Sequence, residues 1–306
     1  MYRFLAIALV IAASLCQPAF GWTRPGHMVT AAIAYDDLIR TDPNVIARVV
    51  TLIASHPDKG SFEVAVGRTT GDARARRIFL QMARWPDDIR GGVFDHPTWH
   101  YAFRPVSDPR DPPPAAPPDR IDGDAIEAFA LNVREAGNEN APAAARAVAL
   151  CWVFHLVGDI HQPLHNAQLF SKRFPTGDHG GGLQFVKDPE TGNPISLHWL
   201  WDDSVNRSDD PEVVLAKARE LEARLPRASL TELKTDDGGF AHWARDESFP
   251  LAQTLAYRAD EASGTTAETV VAQKAGYLGD MKSATDRRVA LAGYRLADVL
   301  RAALGP

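Results

Sequence analysis

The chain has 306 residues, a formal net charge of −6 and an apolar content of 45%. This length suits one large domain or two smaller ones, and the apolar content excludes a disordered chain. An acidic balance usually argues against nucleic-acid binding, but bound divalent cations would bring positive charge to one cleft, so the charge excludes no substrate class.

The first residues have the pattern of a secretory signal. Arg3 gives a positive start, an apolar run follows, and a small-x-small cleavage site ends at Gly21. We predict a signal peptide over residues 1–21, cleavage between Gly21 and Trp22, and export to the periplasm or the medium. The apolar run is too short to span a membrane as a helix, and no later stretch qualifies, so we expect no membrane span.

Apolar residues recur at helical spacing through most of the remaining chain. One expected helix ends before Trp85-Pro86, because proline disrupts a helix. Another begins after a plausible cap at Asp42-Pro43. The predicted helices cover residues 31–40, 46–54, 74–83, 121–136, 143–158, 211–223, 240–257, 266–282 and 287–303.

Two irregular parts interrupt the helical pattern. Residues 104–118 contain seven prolines, which predicts a long extended loop. Three glycines at 180–182 precede a short β-like run over 183–187 and a turn signal at 192–194, which suggests a loop with a short β-hairpin. There is no internal repeat and no interdomain linker. We therefore predict an all-α, mainly helical single domain over residues 22–306, with a long loop and a short β-hairpin.

Potential metal ligands are concentrated between His155 and His165. His155 and Asp159 stand four positions apart on a predicted helix, so their side chains leave the same face one turn apart. His161 points elsewhere, and Pro163 disrupts the helix and lets His165 approach from another direction. Imidazole nitrogen and carboxylate oxygen are the ligands that zinc uses where thiolate is absent. Core histidines satisfied by hydrogen bonds are the alternative, which is weaker for a cluster than for one histidine.

Further pieces of the sequence carry the same residue types. His198 and Asp202 repeat the four-residue spacing, although such a pair alone is a weak signal. Buried aspartate is unfavourable unless it is paired or bound to metal, so acidic residues beside Trp and Pro require an explanation. An exposed loop is the competing interpretation. The other pieces are Trp22 with His27, Asp87 with Arg90, and His100 with Tyr101.

In this order the pieces resemble one family, the trinuclear zinc nucleases of the S1/P1 type. The shared pattern is a Trp at the mature start, Gly-His five residues on, Trp-x-Asp, Trp-His-Tyr, His-x3-Asp-x5-His and a final His-x3-Asp. The resemblance extends by motif from Trp22 to about Asp202. It implies the helical fold that these nucleases share with bacterial zinc-dependent phospholipases C, hence a domain of phospholipase C/nuclease type.

The resemblance also implies three zinc ions per chain. Asp159 would bridge two of them, and the third would lie apart. The implied ligands are Asp87, His100, His155 and Asp159 for the first zinc, then Asp159, His27 and the free amine and carbonyl oxygen of Trp22 for the second, and His165, His198 and Asp202 for the third. Few protein ligands per metal leave positions for water and phosphate, as in catalytic sites.

Catalytic and substrate-binding roles are implied as well. Asp87 and Asp159 would hold the catalytic metals, while Arg90 would clamp the phosphate. Tyr101 would stack on a base, and stacking tolerates any base. A solvent-exposed ion pair for Arg90 and plain core packing for Tyr101 are the alternatives. The chain departs from the family at two substrate-recognition positions, leaving base preference open: Phe103 stands where relatives often carry Asp, and Gly182 where they often carry Asn.

These observations predict an exported zinc-dependent phosphodiesterase that hydrolyses single-stranded DNA or RNA to 5′-phosphorylated products. A 3′-nucleotidase activity is a further option, and we expect a monomer. The first alternative is a zinc-dependent phospholipase C, but that branch usually has Glu as its last ligand, where this chain has Asp202. The second is a non-enzymatic secreted helical protein with structural zinc, which would need closed four-ligand sites and more ligands than this sequence supplies.

Overall fold

A computed structural model describes residues 22–118, 121, 123–234, 239–258, 269–270, 272–273 and 275–305. The signal peptide predicted over residues 1–21 lies outside the described residues. The described part is mainly helical, as the sequence predicts, and its strands are short. None of the described helices is both long and apolar enough to cross a bilayer.

The helices fall into two groups along the chain. The first comprises α1 (Arg24–Thr41), α2 (Pro43–Ile53), α3 (Lys59–Val66), α4 (Gly71–Asp88), α5 (Ala125–Gly137) and α6 (Ala143–Asp159). The second comprises α7 (Leu197–Asp202), α8 (Pro211–Arg224), α9 (Phe240–His242), α10 (Phe249–Leu251) and α11 (Ala275–Leu304). Two π-helical segments, Trp243–Ser248 and Ala252–Ala256, make residues 240–256 one irregular helical stretch. Short 3₁₀ turns cover Pro97–His100, Pro163–His165, Arg227–Ser229 and Thr231–Leu233.

Helix α1 is at the centre of the core. Each of its residues from Pro25 to Leu38 is buried, which is typical of a helix surrounded by others. It packs against α4, α8 and α11. The contact with α11 is close because Gly293 has no side chain: a Cβ there would lie 2.5 Å from Cβ of Ile33. Helix α6 is also buried over most of its length and packs against α4 and α5.

The described residues include four short strands, which form two pairs. Strand β1 (Arg104–Ser107) runs parallel to β2 (Ala167–Phe170), and β3 (Phe185–Lys187) runs antiparallel to β4 (Pro194–Ser196). The second pair confirms the predicted hairpin. The first corrects the expectation of an extended loop from residue 104, because a distant segment supplies the backbone partners. Pro105 is tolerated there since the pair has two strands and both are edges.

Helix α4 corrects a predicted boundary. It continues through Pro86 to Asp88 instead of ending before Trp85. Proline cannot donate a hydrogen bond to the carbonyl four residues earlier, yet the helix continues through Pro86 for two more residues. The indole nitrogen of Trp85 also donates to Oδ2 of Asp58 at 2.9 Å, which anchors the end of the helix. As a result, Asp87 is carried by a helix and not by a loop.

Helix α11 corrects another boundary. The sequence predicts two helices, over 266–282 and 287–303, but one helix runs from Ala275 to Leu304, and part of 266–274 lies outside the described residues. The polar residues between the two predicted helices find partners elsewhere in the fold. Thr285 contacts Ser204 at 2.8 Å, and Asp286 pairs with Lys217 at 3.2 Å. These partners remove the reason for a break.

The start of α5 also differs from the expectation. The helix begins at Ala125 and not at Ile121. Gly123 has φ of +149°, outside the helical region, and a Cβ at this position would lie 2.7 Å from the carbonyl oxygen of Tyr101. Glycine is therefore required at position 123, where the chain passes close to the backbone of Tyr101.

Candidate metal centre

The end of α6 supplies the central pair of the site. His155 and Asp159 are fully buried, and Nε2 of His155 lies 3.0 Å from Oδ2 of Asp159. Nδ1 of His155 donates to the carbonyl oxygen of Ala83 in α4 at 2.8 Å. That bond orients the ring, and in the neutral ring it leaves the lone pair on Nε2. Nδ1 of His100 lies 2.9 Å from the same Nε2 atom and 3.0 Å from Oδ2 of Asp159.

Helix α1 brings His27 to this pair. The His27 ring stacks on that of His155 with 3.9 Å between centroids and 19° between planes. Its Nε2 lies 3.3 Å from Oδ1 of Asp159. The approach depends on Gly158, because a Cβ there would come within 2.6 Å of Nδ1 of His27. A single glycine of α6 thus makes room for a potential ligand from another helix.

Helix α4 and the turn after it supply the other side of this group. Asp87 is buried near the end of α4, and its Oδ1 lies 3.8 Å from Nε2 of His155. The same oxygen accepts a hydrogen bond from Nη2 of Arg90 at 2.9 Å. His100, at the end of a 3₁₀ turn, is fully buried.

A third cluster lies at α7. His198 and Asp202 lie four residues apart on this short helix, and Nε2 of His198 is 3.3 Å from Oδ2 of Asp202. Nδ1 of His198 donates to the carbonyl oxygen of Gly180 at 2.7 Å. Nδ1 of His165 donates to the carbonyl oxygen of His100 at 2.7 Å. Backbone carbonyls thus orient both rings, an arrangement typical of metal-binding histidines.

The side chains predicted from the sequence therefore meet in three groups. Within each group one candidate ligand atom per residue lies within 4.8 Å of the others. Two ligand atoms on one tetrahedral zinc are about 3.3 Å apart, so these spacings suit a common ion. Among the described residues the groups are His27, His155 and Asp159, then Asp87, His100 and His155, and last His165, His198 and Asp202.

Unpaired buried polar atoms test whether a cation fits. Within the described part of the chain, several potential ligand atoms are buried without a hydrogen-bond partner. Each such atom costs about 1–3 kcal/mol unless something replaces its lost hydration. Bound divalent cations would do so, and imidazole with carboxylate is a donor set that zinc accepts. The atoms are both ring nitrogens of His27, Nε2 of His100, Oδ2 of Asp87, Oδ1 of Asp159 and Oδ2 of Asp202.

The pKa shifts show that the buried imidazoles and carboxylates are coupled to one another. Burial opposes protonation of His155, but Asp159 and Asp87 outweigh it and raise the pKa of this ring. Burial lowers the pKa of His27, which leaves the ring neutral. Burial opposes ionisation of Asp159, but the neighbouring His155 and His165 outweigh it and hold the pKa of this carboxyl well below its usual range. Burial raises the pKa of Asp202 well above its usual range. A cation beside Asp202 would therefore favour its ionised form.

Trp22 lies where α1 meets α7. Its side chain is fully buried, and the amide of Thr23 donates to the carbonyl oxygen of Asp202 at 3.1 Å. Gly26 permits this arrangement, since a Cβ there would lie 2.6 Å from Cβ of Trp22. The predicted role of the Trp22 amine requires removal of residues 1–21 and stays a prediction.

The predicted substrate-binding side chains lie beside these groups. Arg90 is paired with Asp87, and its side chain is 20% exposed. The ring of Tyr101 is 4.8 Å from that of His165. Phe103 stacks on Tyr101 with 4.7 Å between centroids and 13° between planes. One face of Tyr101 is thus already covered by an aromatic side chain of this chain.

Two features were not identified from the sequence. Gln162, between two predicted ligands, is fully buried and donates to Oδ1 of Asp202 at 2.6 Å. Its place within the ligand motif was the available signal. The second is a cavity of about 750 Å³ at the far end of β1 and β2, whose lining includes Arg110, Arg173 and Tyr257. These residues are distant in sequence, so no local pattern indicated the cavity.

Comparison with known proteins gives two findings. The family described as S1/P1 Nuclease matches residues 22–305. The chain is also 28% identical over 214 residues to the protein named Nuclease S1 from Aspergillus oryzae (strain ATCC 42149 / RIB 40). That alignment covers 66% of this chain and 60% of the relative, so the chain spans less than two thirds of the relative's length.

Proposed function

Because the chain belongs to the S1/P1 nuclease family, we propose that it is a zinc-dependent phosphodiesterase that hydrolyses single-stranded DNA or RNA to 5′-phosphorylated products. A 3′-nucleotidase activity belongs to the same proposal. The enzyme is exported as residues 22–306, one domain, after removal of residues 1–21, and it acts as a monomer. The observation that carries the proposal is the convergence of buried imidazole and carboxylate groups around Asp159.

Three zinc ions fit the donor groups. When bound, zinc supplies Lewis acidity, which generates a nucleophile from water at neutral pH and stabilises charge on the phosphate. The residues that would hold the ions are Asp87, His100, His155 and Asp159 for the first, Trp22, His27 and Asp159 for the second, and His165, His198 and Asp202 for the third.

Asp159 has the geometry of a shared ligand. Its Oδ2 lies 3.0 Å from both His100 and His155, while its Oδ1 faces His27 at 3.3 Å. One carboxylate therefore serves two donor groups from its two oxygens. Removing its charge would disturb both groups together.

Arg90 is the group that would bind phosphate oxygen. Its guanidinium is held beside the buried carboxylate of Asp87. Arginine stays charged through the physiological pH range and offers a planar fork of donors. Burial disfavours the charged form, but Asp87 outweighs this effect and raises the pKa of Arg90. Arg90 would thus place a permanent positive charge beside the first zinc group.

The cavity at the end of β1 and β2 supports a polynucleotide substrate. The strands lead to it from the metal centre, since Ala102 donates to the carbonyl oxygen of His165 at 2.9 Å just before β1. Arginines with an aromatic ring are typical of grooves that bind single strands. Arg110 and Arg173 line the cavity together with Tyr257. Arg258 also lines it, and with the carboxylates of Asp108 and Asp111 the lining has three arginines against two aspartates, an excess of one positive charge.

A zinc-dependent phospholipase C is the second candidate. The donor set would serve either reaction, and Asp202 as the last ligand favours the nuclease. A non-enzymatic zinc protein is the third candidate, and it is disfavoured because the group of His165, His198 and Asp202 has only three side chains, too few to close a structural site.

Zinc content and nuclease activity measured on one sample test the proposal. Signal-processed protein is analysed for zinc by mass spectrometry, and cleavage of single-stranded DNA is followed with and without a chelator. We expect close to three zinc ions per chain and cleavage that the chelator abolishes. Three zinc ions with hydrolysis of phosphatidylcholine but not of DNA would favour the phospholipase. One zinc ion or none would contradict the ligand assignment.

A further inference from the structure

A buried ionic cluster lies next to the metal centre and contains none of its predicted ligands. Glu247, in the π-helical segment Trp243–Ser248, accepts hydrogen bonds from two arginines of α11. Arg295 forms a two-point contact, with Nη1–Oε2 of 2.8 Å and Nη2–Oε1 of 2.5 Å. Arg288 contacts Oε2 through Nη1. Both arginines are almost fully buried, at 5% exposure for Arg288 and 2% for Arg295.

The cluster contacts the segment between two predicted ligands. Nε of Arg288 donates to the carbonyl oxygen of His161 at 3.3 Å, and Nη1 of Arg295 donates to Nε2 of the same histidine at 2.9 Å. Arg288 also donates to Oγ of Ser248 at 2.6 Å, and this hydroxyl donates to the carbonyl oxygen of Ile160 at 2.6 Å. The backbone carbonyls of two consecutive residues are therefore held by one cluster.

His161 takes part as a neutral acceptor. Its Nδ1 donates to the carbonyl oxygen of Val157 at 2.7 Å, so its Nε2 is free to accept from Arg295. The cluster thus keeps one excess positive charge in the interior, with two arginines for one glutamate.

An excess buried charge is a poor means of gaining stability, because desolvation offsets most of the attraction. The π-helix that carries Glu247 is also a rare structure, and such segments occur frequently at functional sites. Both features are explained if the cluster serves to hold the turn at residues 160–161 in a fixed position. Ile160 directly follows Asp159, and His161 precedes His165 by four residues.

We propose that Glu247, Arg288 and Arg295 are positioning residues of the metal centre, acting through Ser248 on the turn at residues 160–161. This inference rests on the proposed zinc centre and adds that α11 determines how Asp159 and His165 are presented to the ions. The three residues touch neither the substrate nor the metals. Their removal loosens the turn, so zinc is released more readily and the reaction slows.

Two variants of different severity test the inference on the zinc-loaded protein. Arg295→Lys keeps the positive charge but cannot reproduce the two-point contact with Glu247. Ser248→Ala removes one hydrogen bond to Ile160 and leaves all charges in place. The rate of zinc release to a chelator is measured together with kcat and KM on single-stranded DNA. We expect release about 10-fold faster for Arg295→Lys and about 3-fold faster for Ser248→Ala, with kcat lowered and KM unchanged.

Arg301→Lys is the matched control. Arg301 lies on the same helix and pairs with Asp298 and with Asp37 of α1, away from the predicted ligands. The Arg301→Lys substitution should lower the thermal unfolding temperature but leave zinc release at the wild-type rate. Wild-type release rates in both test variants would overturn the inference, as would equal acceleration by the control. If Arg295→Lys fails to fold, Ser248→Ala decides alone. Wild-type protein that takes up no zinc would instead refute the proposed function and, with it, this inference.

Discussion

The side-chain amide nitrogen of Gln162 lies 2.6 Å from Oδ1 of Asp202. The other end of the same amide accepts a hydrogen bond from the backbone N–H of Leu164 at 2.5 Å, in the turn that carries His165. One side chain thus links two predicted ligands of the third zinc group, which come from separate parts of the chain. The hydrogen bond also occupies one oxygen of Asp202 and orients the other toward His198.

We expect Gln162→Leu to lose the third zinc selectively. Without the amide, Asp202 loses its orienting donor and the turn at His165 loses an anchor. Changes of this kind lower metal affinity or activity by about 10–100-fold. Zinc content should fall from three ions to two, and DNA cleavage should fall with it. Gln81→Leu is the control, because Gln81 is also buried and donates to Asp88, which is not a predicted ligand. Three retained zinc ions in Gln162→Leu would contradict this role.

Gly158→Ala should displace His27. The added methyl carbon would lie 2.6 Å from Nδ1 of His27, so the ring must move away from Asp159. We expect loss of the second zinc and a lower thermal unfolding temperature, measured by metal analysis and calorimetry. Gly279→Ala is the matched control in α11, where an added Cβ meets nothing within 4 Å. That change should stabilise the protein by about 0.5–1 kcal/mol. Unchanged zinc content in Gly158→Ala would show that His27 is not a ligand.

Asp159→Asn should release two zinc ions together, because both oxygens of Asp159 face donor groups. Asp87→Asn changes a carboxylate that is a predicted ligand of the first zinc only, so it should release one. Metal analysis of the two purified variants distinguishes these outcomes. Loss of a single zinc in Asp159→Asn would mean that this carboxylate does not bridge.

Residues left ahead of Trp22 should abolish one zinc site. An amine in a peptide bond has no lone pair to offer a metal, whereas a free α-amino group has a pKa near 8 and can lose its proton to one. Protein with an uncleaved tag before Trp22 should therefore hold two zinc ions and show little activity. The same tag at the C-terminus serves as the control and should leave three zinc ions. Full activity with the N-terminal tag would exclude the amine as a ligand.

Glu247 should make stability depend on acidic pH. Burial opposes its ionisation, but Arg295 and Arg288 outweigh this effect and lower the pKa of Glu247 from 4.5 to about 2. Because the folded-state pKa is the lower one, the stabilisation is present above about pH 4.5 and is lost as the pH falls toward 2. The difference in unfolding free energy between wild type and Glu247→Gln should therefore shrink between pH 5 and pH 3. A difference that stays constant over this range would mean that the pKa of Glu247 is not lowered.

Local patterns were enough to predict much of the helical fold, whereas the candidate ligands as a set came from the resemblance to the S1/P1 nucleases. The spacing of His155 and Asp159 is a property of any α-helix, so their common face followed without knowledge of the fold. The hairpin was predictable because its turn residues lie between its strands. The end of α4 was not, because the burial of Trp85 and its bond to Asp58 depend on a segment far along the chain. The pairing of β1 with β2 was missed for the same reason.

By itself, then, the sequence determined which residue types stand at metal-binding spacing and in what order, because helical periodicity and motif spacing are local. Tertiary structure alone decided that α1, α4, α6 and α7 bring these side chains within reach of common ions. That convergence depends on how closely helices pack, and hence on contacts such as that of Gly158 with His27. The buried cluster of Glu247, Arg288 and Arg295 is a further product of packing, since the arginines lie 41 and 48 residues from the glutamate in the sequence.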